Sequence, residues 1–195
     1  MLTISIVLCV SLQNIKRASS NKRTSSPFTL IHSDIWGPSS VPNISRASGL
    51  LSLLMILPSY MAISFETKAK VSNIFPTFYN MIKKQFGISF KGLDQTMPMI
   101  FSINPPLFFF QHKGIIHESS CPYTPQQNGV ARRKNDHLLA VTRMLLFHHN
   151  VPKHYWGKVA LTTTILINKL PSQTLKSHSP IELLTKNFPN FHVTS

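Results

Sequence analysis

The residues with the most definite chemistry lie between Cys121 and Asn135, which read CPYTPQQNGVARRKN. Pro122 and Pro125 each fix their own φ and push their predecessor out of the helical region, so the approach is extended or turned. After Gly129 the pattern becomes helical. Val130, Leu138, Val141 and Leu145 recur near one face, and Arg132, Arg133 and Lys134 open the polar side. A loop of amides and hydroxyls (Gln126, Gln127, Asn128) feeding a basic helix start suits phosphate contact. An ordinary loop before an ordinary helix accounts for the same residues. A second candidate is Asp34, the one acid inside the apolar phrase FTLIHSDIWGP. A carboxylate in an apolar strand is costly to bury unless it binds a cation or finds a partner, although an Asp at a strand end can also face water.

The balance of charge narrows the class of partner. The 195 residues carry 20 Lys and Arg against six acids, for a net charge of +14. Such an excess favours a polyanion, nucleic acid above an anionic membrane surface. The same scarcity limits chemistry, because a two-metal nuclease needs about three converging carboxylates. Cys9 and Cys121 give neither a disulfide framework nor a zinc spacing, so His112, His117, His148 and His149 read as solvated or core histidines. The apolar Met1–Val10 lacks the basic flank and cleavage site of a signal peptide, and Leu50–Ile63 is too short to span a bilayer. An intracellular setting, without secretion or membrane insertion, is expected.

The length allows one sizeable core with tails. Asn14–Ser26 is basic and Ser-rich and reads as a linker. Phe28–Pro38 reads as a strand, Lys70–Phe86 as a helix into which Pro76 fits only near its start or at a kink, and Ile88–Leu93 and Gly114–His117 as short strands. Gln126–His149 is a long helix and Pro152–Leu170 a second one. Ser179-Pro180-Ile181-Glu182 opens a short helix with a Ser cap, Pro at its first position and an acid in its first turn. This order predicts an α/β fold without distinguishing among α/β folds.

The stretch at Cys121–Asn135 resembles the end of the catalytic core of the retroviral-type integrases of copia-type LTR retrotransposons, which read PYTPQQNGVAERKN there. HSDIWGP, from His32 to Pro38, resembles the phrase that carries the first catalytic Asp of that family. The resemblance implies an RNase H-like core, incomplete here, over 27–150, preceded by a degenerate remnant and linker over 1–26 and followed by a helical extension over 151–195. It implies DNA as partner, homo-oligomers, a nuclear location, and three carboxylates holding Mg²⁺ or Mn²⁺ for phosphodiester cleavage and strand transfer. Carried over by residue, Asp34 takes the first catalytic and metal-binding place. The Glu place is Arg132. Asp94 is the nearest in-frame candidate for the second Asp, but it stands 38 residues before Arg132, more than the family's interval. Productive metal binding is therefore not expected. Gln126, Gln127, Asn128, Arg133 and Lys134 remain as candidate nucleic-acid contacts. Three readings stay open: an integrase-like enzyme by descent, a nucleic-acid binder without catalysis, and a translated remnant that does not fold stably.

The departures have a common explanation in the genetic code. When the last base of each codon is read with the first two of the next, Met97-Pro98 forces Ala and Met99-Ile100 forces Asp. Permitted codons across Gly92–Pro105 then give Phe-Arg-Ser-Asp-Asn-Ala-Asn-Asp-Ile-Phe-Asn-Gln-Pro, which resembles the family's phrase after its strand. Its catalytic Asp straddles Gln95 and Thr96, and the interval to position 132 is restored. The same shift turns Leu54–Pro58 into Asp-Asp-Phe-Thr. Ser52 to about Phe65 and Gly92 to about Phe110 thus read as out-of-frame segments of a decayed element. The coding sequence checks this directly: Gln95 is expected to be encoded by CAG, so that GAC overlaps the two codons, and CAA would refute the shift.

Overall fold

Strand β1, Leu30–Trp36, is central because two different kinds of neighbour claim its edges. The computed structural model describes residues 28–55, 59–95, 106–119 and 129–189. Along the chain β1 is followed by β2 (Gly49–Met55), β3 (Ser59–Phe65), α1 (Lys68–Phe86), β4 (Gly92–Gln95), α2 (Pro106–His112), β5 (Ile116–Ser119), α3 (Gly129–His148), α4 (Trp156–Lys169) and α5 (Pro180–Asn187). The sheet order is β3-β2-β1-β4-β5. β1 pairs antiparallel with β2 and parallel with β4, and β5 extends the parallel side. Parallel neighbours require crossovers, which α1 and α2 provide. This mixed five-stranded sheet with helices is the RNase H-like α/β fold expected from the resemblance.

Helices cover both faces of β2, and its sequence GLLSLLM is buried at every position. Leu51, Leu53 and Met55 join Ile31, Ile35 and Leu93 against Val71, Ile74, Phe75, Phe78 and Ile82 of α1. Leu50 and Leu54 point the other way, to Ala62, Leu138 and Leu139 of α3, and Trp156, Ala160 and Ile167 of α4. The period-two alternation of side chains therefore feeds two separate cores. Trp36 meets Trp156 edge-on at 5.3 Å, and the Trp156 indole N–H donates to the Val41 carbonyl at 2.8 Å. The C-terminal helices consequently pack on the sheet itself. Ser179 accepts from the Glu182 amide while the Glu182 carboxylate accepts from the Ser179 amide, the reciprocal cap that starts α5.

Several boundaries differ from the sequence expectations. Pro76 lies well inside α1, where the buried stripe from Val71 to Ile82 outweighs one lost backbone hydrogen bond. The strand expected at Ile88–Leu93 forms at Gly92–Gln95 instead. Ile88 and Phe90 spend their apolar surface on the core, and pairing starts only where the amides of Lys91 and Gly92 reach the Thr29 carbonyl. The strand expected at Gly114–His117 begins at Ile116, since Gly114 at φ +64° completes the turn leaving α2. Helix α2 was not foreseen, and Pro106 sits at its first position, where a missing N–H costs nothing. Gln126–Asn128, at the expected start of the long helix, lie outside the described residues.

Across the segment that reads as out of frame, β2 and β3 still pair over seven residues each. The reason is physical. Leu53, Leu54, Met55, Ala62, Ile63 and Phe65 supply apolar side chains to both faces, and Pro58 falls between the strands. Leu53 is fully buried, so Leu53→Ala is expected to cost about 2–5 kcal/mol in urea denaturation. A loss within about 0.5 kcal/mol, the range of surface substitutions, would show that the altered segment does not pack as described.

Candidate functional site

The site lies on the face of β1 that turns toward α3. His32, Asp34 and Trp36 share that face by strand parity. Asp34 is 8% exposed, and its Oδ2 accepts from the side-chain amide of Asn135 at 2.8 Å. Opposite it on β2, the Ser52 hydroxyl donates to the Asp34 backbone carbonyl at 3.2 Å. Asn135 is 3% exposed and is presented by the same stripe of α3 that buries Leu138, Leu139 and Thr142. Its Oδ1 has no hydrogen-bond partner among the described residues. The amide thus spends its donor on the carboxylate and leaves its acceptor unsatisfied.

Asp94 has a different partner. The β1–β4 register sets it beside His32, and its Oδ2 lies 2.8 Å from His32 Nδ1. In that register the position facing Asp34 is 96, which is outside the described residues. Asp94 shares the face of Asp34 but stands two residues back in the register, about 6.6 Å along the strand. Arg132 and Asp136 are exposed on α3, as is Arg133, while Lys134 is half-buried. Arg132 lies one turn before Asn135 and shares its side of the helix. The candidate contacts Gln126, Gln127 and Asn128 lie outside the described residues.

These groups do not fit a pair of divalent cations. Asp34 is held by an amide, Asp94 by an imidazole, and α3 brings the guanidinium of Arg132. A cation at 4 Å from another unit charge pays about 4 kcal/mol at intermediate dielectric. No group of three or more His, Cys, Asp or Glu side chains suited to a metal occurs among the described residues. On the far side of the sheet, His117 stacks on Phe110 at 5.8 Å, and burial lowers its pKa despite the nearby Asp94 charge. His148 and His149 are exposed.

Asn135 and His32 were not singled out from the sequence. Both were within reach of simple periodicity, since His32 is two residues from Asp34 on a strand and Asn135 three from Arg132 on a helix. The pairing makes a prediction about stability. Asn135→Ala leaves the Asp34 carboxylate short of a buried donor and is expected to cost about 1–3 kcal/mol. In an Asp34→Asn background the same substitution is expected to cost measurably less, and equal costs in the two backgrounds would show that the hydrogen bond contributes nothing.

No family model matches the chain. Over 173 residues, 85% of the chain, it is 29% identical to the retrovirus-related Pol polyprotein from transposon RE1 of Arabidopsis thaliana. It is 27% identical over 180 residues to that from transposon RE2 of the same plant, and 26% identical over 168 residues to that from transposon TNT 1-94 of Nicotiana tabacum. The chain spans only 11–13% of the length of these polyproteins. Its fold matches a chain in the structure of the simian T-cell lymphotropic virus intasome in complex with PP2A regulatory subunit B56 gamma, with a TM-score of 0.64 and 17% identity. That match covers 89% of this chain and 60% of the other. By sequence over most of its length the chain is similar to the retrovirus-related Pol polyproteins of plant retrotransposons, and its RNase H-like fold is shared with a chain of a retroviral intasome.

Proposed function

We propose that this chain binds DNA without cutting it. The observation that carries the reading is the pairing of Asp34 with Asn135 beside an arginine at position 132. In an integrase of the copia type, carboxylates at these places hold Mg²⁺ or Mn²⁺, and the reaction is DNA integration. Here the first carboxylate accepts a hydrogen bond from Asn135, the nearest in-frame second carboxylate pairs with His32, and position 132 carries positive charge. A guanidinium there contacts a phosphate directly, as one of the basic groups that open α3. The net charge of +14 supplies the long-range attraction. The reading includes a core over 27–150, a helical extension over 151–195, a nuclear location and self-association as in the family.

Repair experiments separate binding from catalysis. Arg132→Glu alone is expected to give no nicking of a labelled duplex with Mg²⁺ or Mn²⁺, because Asp94 is a pleat period short. Catalysis at such sites spans many orders of magnitude, so even a poor site shows above background. Arg132→Glu combined with the out-of-frame reading of Gly92–Pro105 is expected to restore measurable nicking. Activity in the single variant would show that Asp94 serves as a ligand and would overturn this account of inactivity. Binding is read from salt dependence: Arg132→Gln is expected to reduce the slope of log affinity against log salt by about 0.9.

A further inference from the structure

The end of the sheet remote from Asp34 gathers a second set of cations. Lys83 and Lys84 form the last turn of α1, Lys91 immediately precedes β4, Lys113 follows α2, and Lys186 lies in the last turn of α5. All five are exposed. Packing of the core brings these segments to one end. Phe86, just after the α1 lysines, packs on Phe28 at 4.6 Å between ring centroids, and Phe188, just after Lys186, packs on both rings at 5.5 and 5.1 Å. Phe28 leads into Thr29, whose carbonyl accepts from the Lys91 amide at 2.9 Å, and the Lys91 carbonyl accepts from Ile116 at 2.8 Å. Lys113 is three residues before that contact.

None of the five ammonium groups has an ion-pair partner among the described residues, whereas Lys70 at the other end of α1 is paired with Glu66. Like charges held together by the core repel one another unless a polyanion neutralises them. Phe108, 72% exposed, and Ile116, 60% exposed, are the large apolar side chains on the neighbouring elements α2 and β5. They belong to different elements and do not make the continuous apolar face that binding in a membrane interface requires.

We infer that this end is a second phosphate-binding surface for a nucleic-acid duplex, separate from the basic start of α3. The five steps from Thr29 to Asp34 span about 16 Å along β1. The inference rests on the reading that the chain binds nucleic acid. It is tested on the full chain by fluorescence anisotropy with a labelled DNA duplex over a salt series, comparing the parent, K83Q/K84Q/K91Q/K113Q and R132Q/R133Q. Circular dichroism confirms that each variant is folded. Expected is a slope of log affinity against log salt that falls by about 3–4 in the lysine variant and about 2 in the arginine variant. An unchanged slope in the lysine variant, with a reduced slope in the arginine variant, would overturn the second surface and leave DNA binding standing. Absence of salt-dependent binding by the parent would overturn both. Loss of binding to phosphatidylserine vesicles by the lysine variant, with its DNA slope unchanged, would reassign the surface to membranes and overturn the inference.

Discussion

A buried carboxylate on the central strand needs a partner, and the hydrogen bond from Asn135 to Asp34 meets that need. It joins the middle of β1 to α3 across the layer boundary. Everything else at the site is arranged around it. β2 places Ser52 beside the Asp34 backbone, β4 brings Asp94 to the same face one step away, and the stripe of Leu138, Leu139 and Thr142 holds α3 at the depth where residue 135 reaches the sheet. Removing a carboxylate's cation without replacing it would leave a charge in a low-dielectric layer. The Asn135 amide places a fixed hydrogen-bond donor against that charge.

The burial of β2 follows from the same layering. A strand with both faces covered needs apolar residues at successive positions, and it tolerates many identities provided they are apolar. GLLSLLM satisfies that requirement at every position. Chemistry is less tolerant than packing. Carboxylates that share metal ions must match within fractions of an ångström, a demand that packing does not make.

What could be read from the sequence followed from this difference. The phrase HSDIWGP located β1 and Asp34, and the helical spacing from Val71 to Ile82 located α1. The cap at Ser179 located α5 to within a residue, because local hydrogen-bond chemistry is written in adjacent residues. β4 was misplaced because Ile88 and Phe90 are as apolar as any strand residue, and only the Thr29 carbonyl decides where pairing begins. Helix α2 was hidden in FFF, a run that serves a strand or a helix equally well. The Asp34–Asn135 and His32–Asp94 pairs depend on sheet register and on helix rotation against the sheet. Neither is a property of one segment, although parity along β1 and α3 marked the right residues.

The Asn135–Asp34 hydrogen bond also sets the most direct measurement, one that needs no DNA. A ligand that binds only the folded chain raises its stability by mass action, by about 2.7 kcal/mol at a hundred times its dissociation constant. Thermal unfolding of the parent chain in millimolar Mg²⁺ or Mn²⁺, against the same ionic strength of a monovalent salt, reads this directly. The expected result is an unchanged midpoint with either metal. A saturable rise that disappears in Asp34→Asn would show that the carboxylate holds a cation, and would contradict the account of a site closed by its own side chains.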